Sequence, residues 1–186
     1  MNLANIFGIE QCTVAISFGK FPTKCTIVPN AWIALAPIIS VLFFGKARFL
    51  GKATIGHLIE GEKTDWMVRI KIILKNSEHK YFEPFEPFDK FTQLEEDQDR
   101  PISELLEEFS ELRTKNIKEL KLLNISKDNL KQIGIHPEFG AVTLEHLLAT
   151  WAVHDLNHIA QISRVMAKQY KLQVGPWREF LGILKK

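Results

Sequence analysis

One uninterrupted helical pattern, from about Leu144 to Tyr170, limits most strongly what this chain can fold into. It contains His154 and His158, which are four residues apart, so both imidazoles lie on one helix face. Apolar and aromatic residues continue the same stripe: Leu147, Trp151, Ile162 and Val165. The histidines therefore point toward a core, where two imidazoles can share one metal ion. The commoner alternative is a pair of hydrogen-bonded core histidines.

The bulk composition fits one soluble globular domain. The chain has 186 residues, of which 46% are hydrophobic and 25% are charged, and these shares are ordinary. A net charge of +2 gives no strong basic field, so we expect no nucleic-acid partner. Cys12 and Cys25 are too few for a disulfide scaffold and favour a reducing, cytoplasmic compartment.

Residues 1–50 differ in composition from the rest, so we predict an atypical apolar N-terminal segment at 1–50 and a helical domain at 51–186. Alternation predicts a strand over Thr13–Phe18, and the run Ala31–Phe44 predicts a helix interrupted at Pro37. A membrane anchor at 26–44 is the less favoured alternative, because prolines and polar residues interrupt the run. A shifted reading frame or a fusion junction is a further hypothesis for this segment, and sequencing the encoding transcript tests it.

Three long helical patterns follow, over Ala53–Leu74, from Pro101 to about Asn124, and from Thr143 as N-cap. In the first, the charged residues are assigned to the solvated face: Glu62, Lys63, Asp65, Arg69 and Lys71. Shorter elements are predicted as a helix from Ser126 to Gln132, a turn from Pro137 to Val142, and a terminal helix from Pro176. That last helix is expected to turn four apolar residues inward: Trp177, Phe180, Leu181 and Leu184.

The connector over 76–101 is rich in proline and phenylalanine. A loop this long is commonly functional or mobile. Its phenylalanines are expected to seal the end of a bundle, and the alternative is that they fold over the mouth of a pocket.

A catalytic metal site needs three protein ligands and an open position. His57 is the best third candidate, because it lies on another long core-forming helix. His146 is eight residues before His154 and is poorly placed for the same ion. His136 and His79 are interpreted as loop residues. The sequence disfavours a metalloprotease of the His-Glu-x-x-His type, because Asp155 replaces the glutamate. It also disfavours a di-iron bundle, because no histidine has a glutamate three residues before it.

Two stretches resemble the DinB/YfiT-like superfamily. The first is Gly56-His57-Leu58-Ile59-Glu60-Gly61-Glu62 followed by Thr64-Asp65-Trp66. The second runs from Thr143-Leu144 through Thr150-Trp151, His154 and His158 to Ile162. The tail Val174-Gly175-Pro176-Trp177 is similar as well. The likeness covers roughly residues 53–184, and residues 1–50 depart from it.

The resemblance implies an all-α four-helix bundle of DinB/YfiT type in which His57, His154 and His158 hold a divalent metal, most often nickel or zinc. It also implies thiol-dependent S-transfer or related metal-assisted transfer or hydrolysis, with a low-molecular-weight thiol as a second cofactor. Asp155, Asn157 and Glu60 are candidates to orient the ligands. Trp151 is a candidate for the pocket wall, and an equal alternative is that it is plain core.

The function predicted from the sequence is therefore a metal-dependent transferase or hydrolase acting on a small molecule. The rival is a non-catalytic, stress-associated bundle that serves as a binding or scaffold protein. We expect no membrane partner, and a homodimer is an open alternative.

Overall fold

The computed structural model of the protein describes residues 16–17, 24–25, 46–76, 82, 84–89, 97 and 99–185. Strand β1, Ile16–Ser17, pairs antiparallel with β2, Lys24–Cys25, and β1 falls within the strand predicted over Thr13–Phe18. The helix predicted over Ala31–Phe44, the candidate anchor at 26–44 and His79 lie outside the described residues. None of the helices in the described part is long and apolar enough to cross a bilayer.

Three helical rods organise the described part of the chain. The first consists of α1, Lys46–Glu60, a π-helical turn over Gly61–Asp65, and α2, Trp66–Asn76. The second is α3, Ile102–Leu122, and the third is α4, Leu144–Gln169. Thr143 caps α4 as predicted: its side chain accepts a hydrogen bond from the backbone N–H of His146, whose side chain accepts one in return from the backbone N–H of Thr143. Such a reciprocal cap satisfies two backbone donors at the start of the helix.

Apolar stripes on the three rods meet in two clusters. One cluster surrounds the stacked rings of Trp66 and Trp151 and includes Ile70, Ile73 and Phe85. The other joins α1 to α3 and α4 through a second set of buried residues, which includes Ile55, Leu58, Leu105, Phe109 and Ile162. Because the π-helical turn lies between the two clusters, it occupies the middle of the bundle.

A β-hairpin connects α3 to α4, where the sequence predicted a turn alone. Strand β3, Ile133–His136, pairs antiparallel with β4, Gly140–Thr143. Gly140 has φ +70°, a conformation that glycine adopts without a Cβ clash. Before it, Ser126 accepts a hydrogen bond from the Asn129 N–H, and a 3-10 turn over Asn129–Lys131 takes the place of the predicted helix.

The prediction of an inward-facing terminal helix was wrong. Two 3-10 turns, Gly175–Phe180 and Gly182–Leu184, end the described chain. The side chains of Trp177 and Phe180 are 72% and 82% exposed. Short 3-10 turns present no broad apolar face for packing, so these two aromatic rings lie outside the core.

The predicted all-α class is confirmed in part. Helices dominate the described residues, and two small antiparallel strand pairs accompany them. The fourth helix of the predicted bundle was assigned to residues 1–50, most of which lie outside the described part. The domain boundary at residue 50 stays a prediction.

Candidate metal centre

Helices α1 and α4 bring three imidazoles together. His57 lies near the end of α1, and His154 and His158 lie one turn apart on α4. The Nε2 atom of His154 is 3.0 Å from that of His57 and 3.1 Å from that of His158. One ligand nitrogen from each ring lies within 4.8 Å of the other two. The fold therefore unites the three histidines that the sequence selected as metal ligands.

A divalent cation fits this cluster. At this spacing each pair of Nε2 atoms either shares a proton in an N–H···N hydrogen bond or directs its lone pairs at a cation between the rings. An additional proton that makes His154 cationic is disfavoured, because burial and then the neighbouring imidazoles of His158 and His57 lower the pKa of His154 to about 3. Metal–nitrogen bonds of about 2.0–2.1 Å place two ligand nitrogens roughly 3 Å apart. The three residues could thus hold an ion of the kind that imidazole prefers, such as zinc or nickel.

Gln161 contacts the ring of His158. Its Oε1 atom is 3.0 Å from His158 Nδ1, so an amide oxygen facing the ring assigns the proton to Nδ1 and leaves the Nε2 lone pair free. Burial lowers the pKa of His158, and Gln161 and Asp155 act in the opposite direction. Gln161 was not predicted from the sequence. The available signal was its position three residues after His158 on the same helix.

A cavity of about 670 Å³ reaches the histidine cluster, a volume typical of small-molecule sites. His57 and His154 lie in its wall, whereas His158 is 9% exposed and is not part of the wall. Much of the lining is apolar: Trp66, Phe85, Pro87, Phe88, Pro137, Phe139, Val142 and Leu147. A ligand in this cavity would contact two of the three histidines.

The described part of the connector contributes to both the core and the cavity. Phe85 is 3% exposed and packs in the core, and its backbone N–H donates to the carbonyl oxygen of Ile135 at 2.9 Å. Phe88 packs edge-on against His57, with ring centroids 5.1 Å apart. The two sequence alternatives therefore both apply, because one phenylalanine seals the bundle and another forms the cavity wall.

A buried charge cluster ties the three rods together behind the histidines. Arg113 on α3 is 2% exposed; it donates to Asp155 at 2.5 and 3.1 Å and to Glu62 at 3.0 Å. Glu62 also accepts hydrogen bonds from Asn116 and Trp151. Burial raises the pKa of Glu62, and Arg113 opposes that shift. Each charge thus has the partners that burial in a protein interior requires.

The assignment of five charged residues to the solvated face was wrong for three of them. Glu62 and Arg69 are buried, and Asp65 is half-buried, whereas Lys63 and Lys71 are exposed as predicted. Glu62 falls on the apolar stripe, three residues after Ile59 and four before Trp66. A charge on an apolar stripe is the signal for a buried ion pair, and it was available in the sequence.

Four residues predicted to support the site have other positions. Asp155 pairs with Arg113 rather than with a histidine, and Asn157 lies on the exposed side of α4. Trp151 is fully buried behind Trp66, so it belongs to the core and Trp66 takes the place in the cavity wall. Glu60 is half-buried and does not line the cavity. Asp155 and Asn157 each adjoin a histidine of the cluster, and adjacent helix positions are about 100° apart, so their side chains point away from the cluster.

The remaining described histidines lie outside the histidine cluster. His146 caps α4 and lies at the cavity rim. His136 lies in the hairpin, where its ring stacks on Phe139. Neither belongs to the group formed by His57, His154 and His158, although both line the cavity.

The amino-acid sequence matches a profile of the DinB superfamily over residues 52–162. The chain belongs to the DinB superfamily. His57, His154 and His158 all lie within the matched part. No curated protein matches the sequence.

A solved structure shows the same DinB fold. It is YfiT from Bacillus subtilis, described as a probable metal-dependent hydrolase with an unusual four-helix bundle topology. The match has a TM-score of 0.56 and 16% sequence identity, and it covers 87% of this chain and 98% of that one. At this identity the likeness establishes the fold alone.

Proposed function

We propose that this DinB protein is a divalent-metal enzyme that carries out hydrolysis or group transfer on a small organic molecule. His57, His154 and His158 would hold the ion. The observation that carries the proposal is the convergence of their three Nε2 atoms beside a cavity of small-molecule size. Three protein ligands are typical of catalytic sites, whereas structural sites usually have four.

A divalent ion at this position supplies Lewis-acid chemistry, which lowers the pKa of a water or a thiol. The surrounding residues contribute orientation and exclusion of solvent. Gln161 fixes the tautomer of His158, and Phe88 packs on His57 at the cavity wall. The apolar lining strengthens electrostatic interactions inside the cavity, because few water molecules remain to screen them.

Nickel and zinc are the metals that we propose, and water and a low-molecular-weight thiol are the two candidate nucleophiles. The likeness to a probable hydrolase supports water as the first to test. Thiol transfer would need room for a thiol beside the electrophile. The cavity of about 670 Å³ is large enough that both nucleophiles, water and a thiol, are candidates for testing. The rival proposal, a non-catalytic scaffold, requires that the chain fail to bind a metal or bind it without exchangeable positions.

The decisive experiment is the metal content per chain after loading with zinc or nickel. Wild type should bind close to one ion, and His57→Ala and His154→Ala should lose it while keeping their helical circular dichroism. His146→Ala is the matched control, because His146 lies at the cavity rim on the same helix and outside the cluster. A folded wild type that takes up no metal would refute the enzyme proposal.

Activity follows from the same samples. Metal-loaded wild type should hydrolyse activated esters or transfer thiols to electrophiles faster than His154→Ala does. Comparable rates in both proteins, with metal bound in wild type, would favour the scaffold function.

A further inference from the structure

A buried arginine lies in the cavity wall beyond Trp66. The side chain of Arg69 is 8% exposed, and its guanidinium lies 5.1 Å above the ring of Phe85. Its Nε atom contacts Asp65, and its Nη2 atom donates to the carbonyl oxygen of Glu86 at 3.4 Å. Among the residues that the structure describes, none accepts a hydrogen bond from Nη1. The guanidinium thus keeps donors available to a molecule in the cavity.

His136 supplies a second donor beside the same phenylalanine. Its Nδ1 atom accepts hydrogen bonds from the backbone N–H groups of Glu138 at 3.1 Å and Phe139 at 3.3 Å. The proton of the neutral ring must therefore be on Nε2. The imidazole packs edge-on against Phe85, with ring centroids 6.3 Å apart. Arg69 and His136 thus both contact the ring of Phe85, and both line the cavity.

The separation between this pair and the metal cluster sets the length of a ligand that could reach both. Arg69 is twelve residues after His57 on the same rod, which corresponds to about 18 Å at 1.5 Å per residue. The Arg69 side chain leans back toward Asp65, its neighbour one turn earlier, and this shortens the gap to roughly 10–15 Å. An extended chain of three to four residues has a similar length, since each residue spans about 3.3–3.6 Å.

The charges around Arg69 determine which ligand group would suit the arginine end of the cavity. Asp65 pairs with Arg69, and Asp89 and Glu138 also line the cavity. A doubly charged phosphate would meet three carboxylates, whereas a carboxylate carries a single charge and matches the planar fork of a guanidinium. The apolar surface between the two ends favours an uncharged spacer.

We propose that Arg69 and His136 form a subsite for the carboxylate of an elongated ligand whose reacting group reaches the three histidines. This inference rests on the proposed function, because it assumes that the reacting group lies at the metal. It assigns to the cavity a substrate or thiol with a polar acidic end, an apolar middle and a reactive far end.

The test uses the full chain loaded with cobalt(II) and three thiol probes: mercaptoacetate, mercaptohexanoate and mercaptoundecanoate, each with its methyl ester. Binding of sulfur to cobalt is followed through the thiolate-to-cobalt absorption band. In wild type, one of the longer acids should bind about tenfold or more better than its ester, whereas mercaptoacetate should show no such preference. Arg69→Gln should remove the preference and leave the ester affinities unchanged.

His136→Asn is the second variant, because an asparagine oxygen can still accept the turn N–H groups while the Nε2–H donor is lost. It should reduce the preference for the acid several-fold. Equal affinity for acid and ester at every chain length in wild type would overturn the subsite, as would a preference that survives in Arg69→Gln. Tighter binding of a phosphonate-ended probe than of the matching carboxylate would overturn the choice of ligand class.

Failure of the metal site would be recognised separately. If cobalt does not bind, the proposed function fails, and metal-free protein is titrated calorimetrically with octanoate and methyl octanoate. Preference for octanoate that disappears in Arg69→Gln would still support the subsite, and absence of that preference would refute it.

Discussion

Asp155→Ala tests the buried charge cluster most directly. The change removes the carboxylate that accepts two hydrogen bonds from Arg113 and leaves the guanidinium with Glu62 as its remaining charged partner. Arg113 has no access to water that could replace Asp155, since it is 2% exposed. Removing one partner from a buried ion pair typically costs about 3–5 kcal/mol. We expect a loss of that size in the free energy of unfolding.

Urea unfolding of the metal-free chain at neutral pH, followed by circular dichroism, measures the loss by linear extrapolation. Thermal unfolding should show a decrease in Tm of roughly 10 °C for a chain of this length. Asp128→Ala is the matched control, because Asp128 pairs with Lys131 at 3.0 Å on the surface, where its side chain is 92% exposed. That control should change stability by less than about 0.5 kcal/mol.

A loss below about 1 kcal/mol in Asp155→Ala would refute the reasoning, since it would mean that Arg113 is solvated or re-paired at little cost. The metal affinity separates two roles for Asp155. A structural role predicts that the folded variant still loads metal. Loss of metal with unchanged stability would instead restore the sequence hypothesis that Asp155 orients the ligands.

Three further changes have defined outcomes. Gln161→Leu should weaken zinc affinity by about 10–100-fold with little loss of fold, because His158 loses the partner of its Nδ1 proton; unchanged affinity in competition with a chelator would contradict this. Gly134→Ala should lower the free energy of unfolding by about 1–3 kcal/mol, because a Cβ there would lie 2.4 Å from Phe85 Cζ. Gly182 has open space around it, so Gly182→Ala should lower the free energy far less in the same urea titration. Metal-free wild type should lose about 1 kcal/mol of its free energy of unfolding on acidification from pH 7 to pH 5. The pKa of His154 is about 3 in the folded chain against about 6.5 in the unfolded one, so the unfolded chain takes up the proton first, and the partial burial of the group limits the effect. His154→Gln should flatten this dependence on pH, and equal slopes in the two proteins would contradict the prediction.

The histidine cluster was predictable because its signals are local. Two histidines four residues apart on an apolar stripe fix their own geometry, and helix periodicity restricts where a third ligand can come from. The choice of His57 needed only the inference that a second long helix packs on the first. Thr143 was predictable for the same reason, since a cap depends on the residues beside it.

The supporting residues were less predictable because they depend on contacts between distant elements. Arg113 satisfies Glu62 and Asp155 from a third rod, and sequence spacing within one helix does not reveal such pairing. The hairpin before α4 was missed because its strands have four residues each, too few for a clear alternating pattern. Arg69 was assigned to solvent because charges on an amphipathic helix usually face solvent, although it lies three residues after Trp66 and four before Ile73 on the apolar stripe.

The π-helical turn over Gly61–Asp65 has a geometric consequence for the length of the cavity. In a regular α-helix, twelve residues rotate by about three turns plus 120°, so Arg69 would lie on a different side of the rod from His57. A π-turn accommodates roughly one additional residue in its turn, which takes up about 100° of that rotation. His57, Gly61, Asp65 and Arg69 all line the cavity, at intervals of four residues. Deleting one exposed residue of the turn, such as Lys63, would let the rod continue as a regular α-helix in which eleven residues rotate by about three turns plus 20°, so Arg69 would stay on the side of His57. Rewinding the turn to a regular α-helix with all its residues kept would instead move Arg69 about 100° round the rod, away from the histidine end of the cavity.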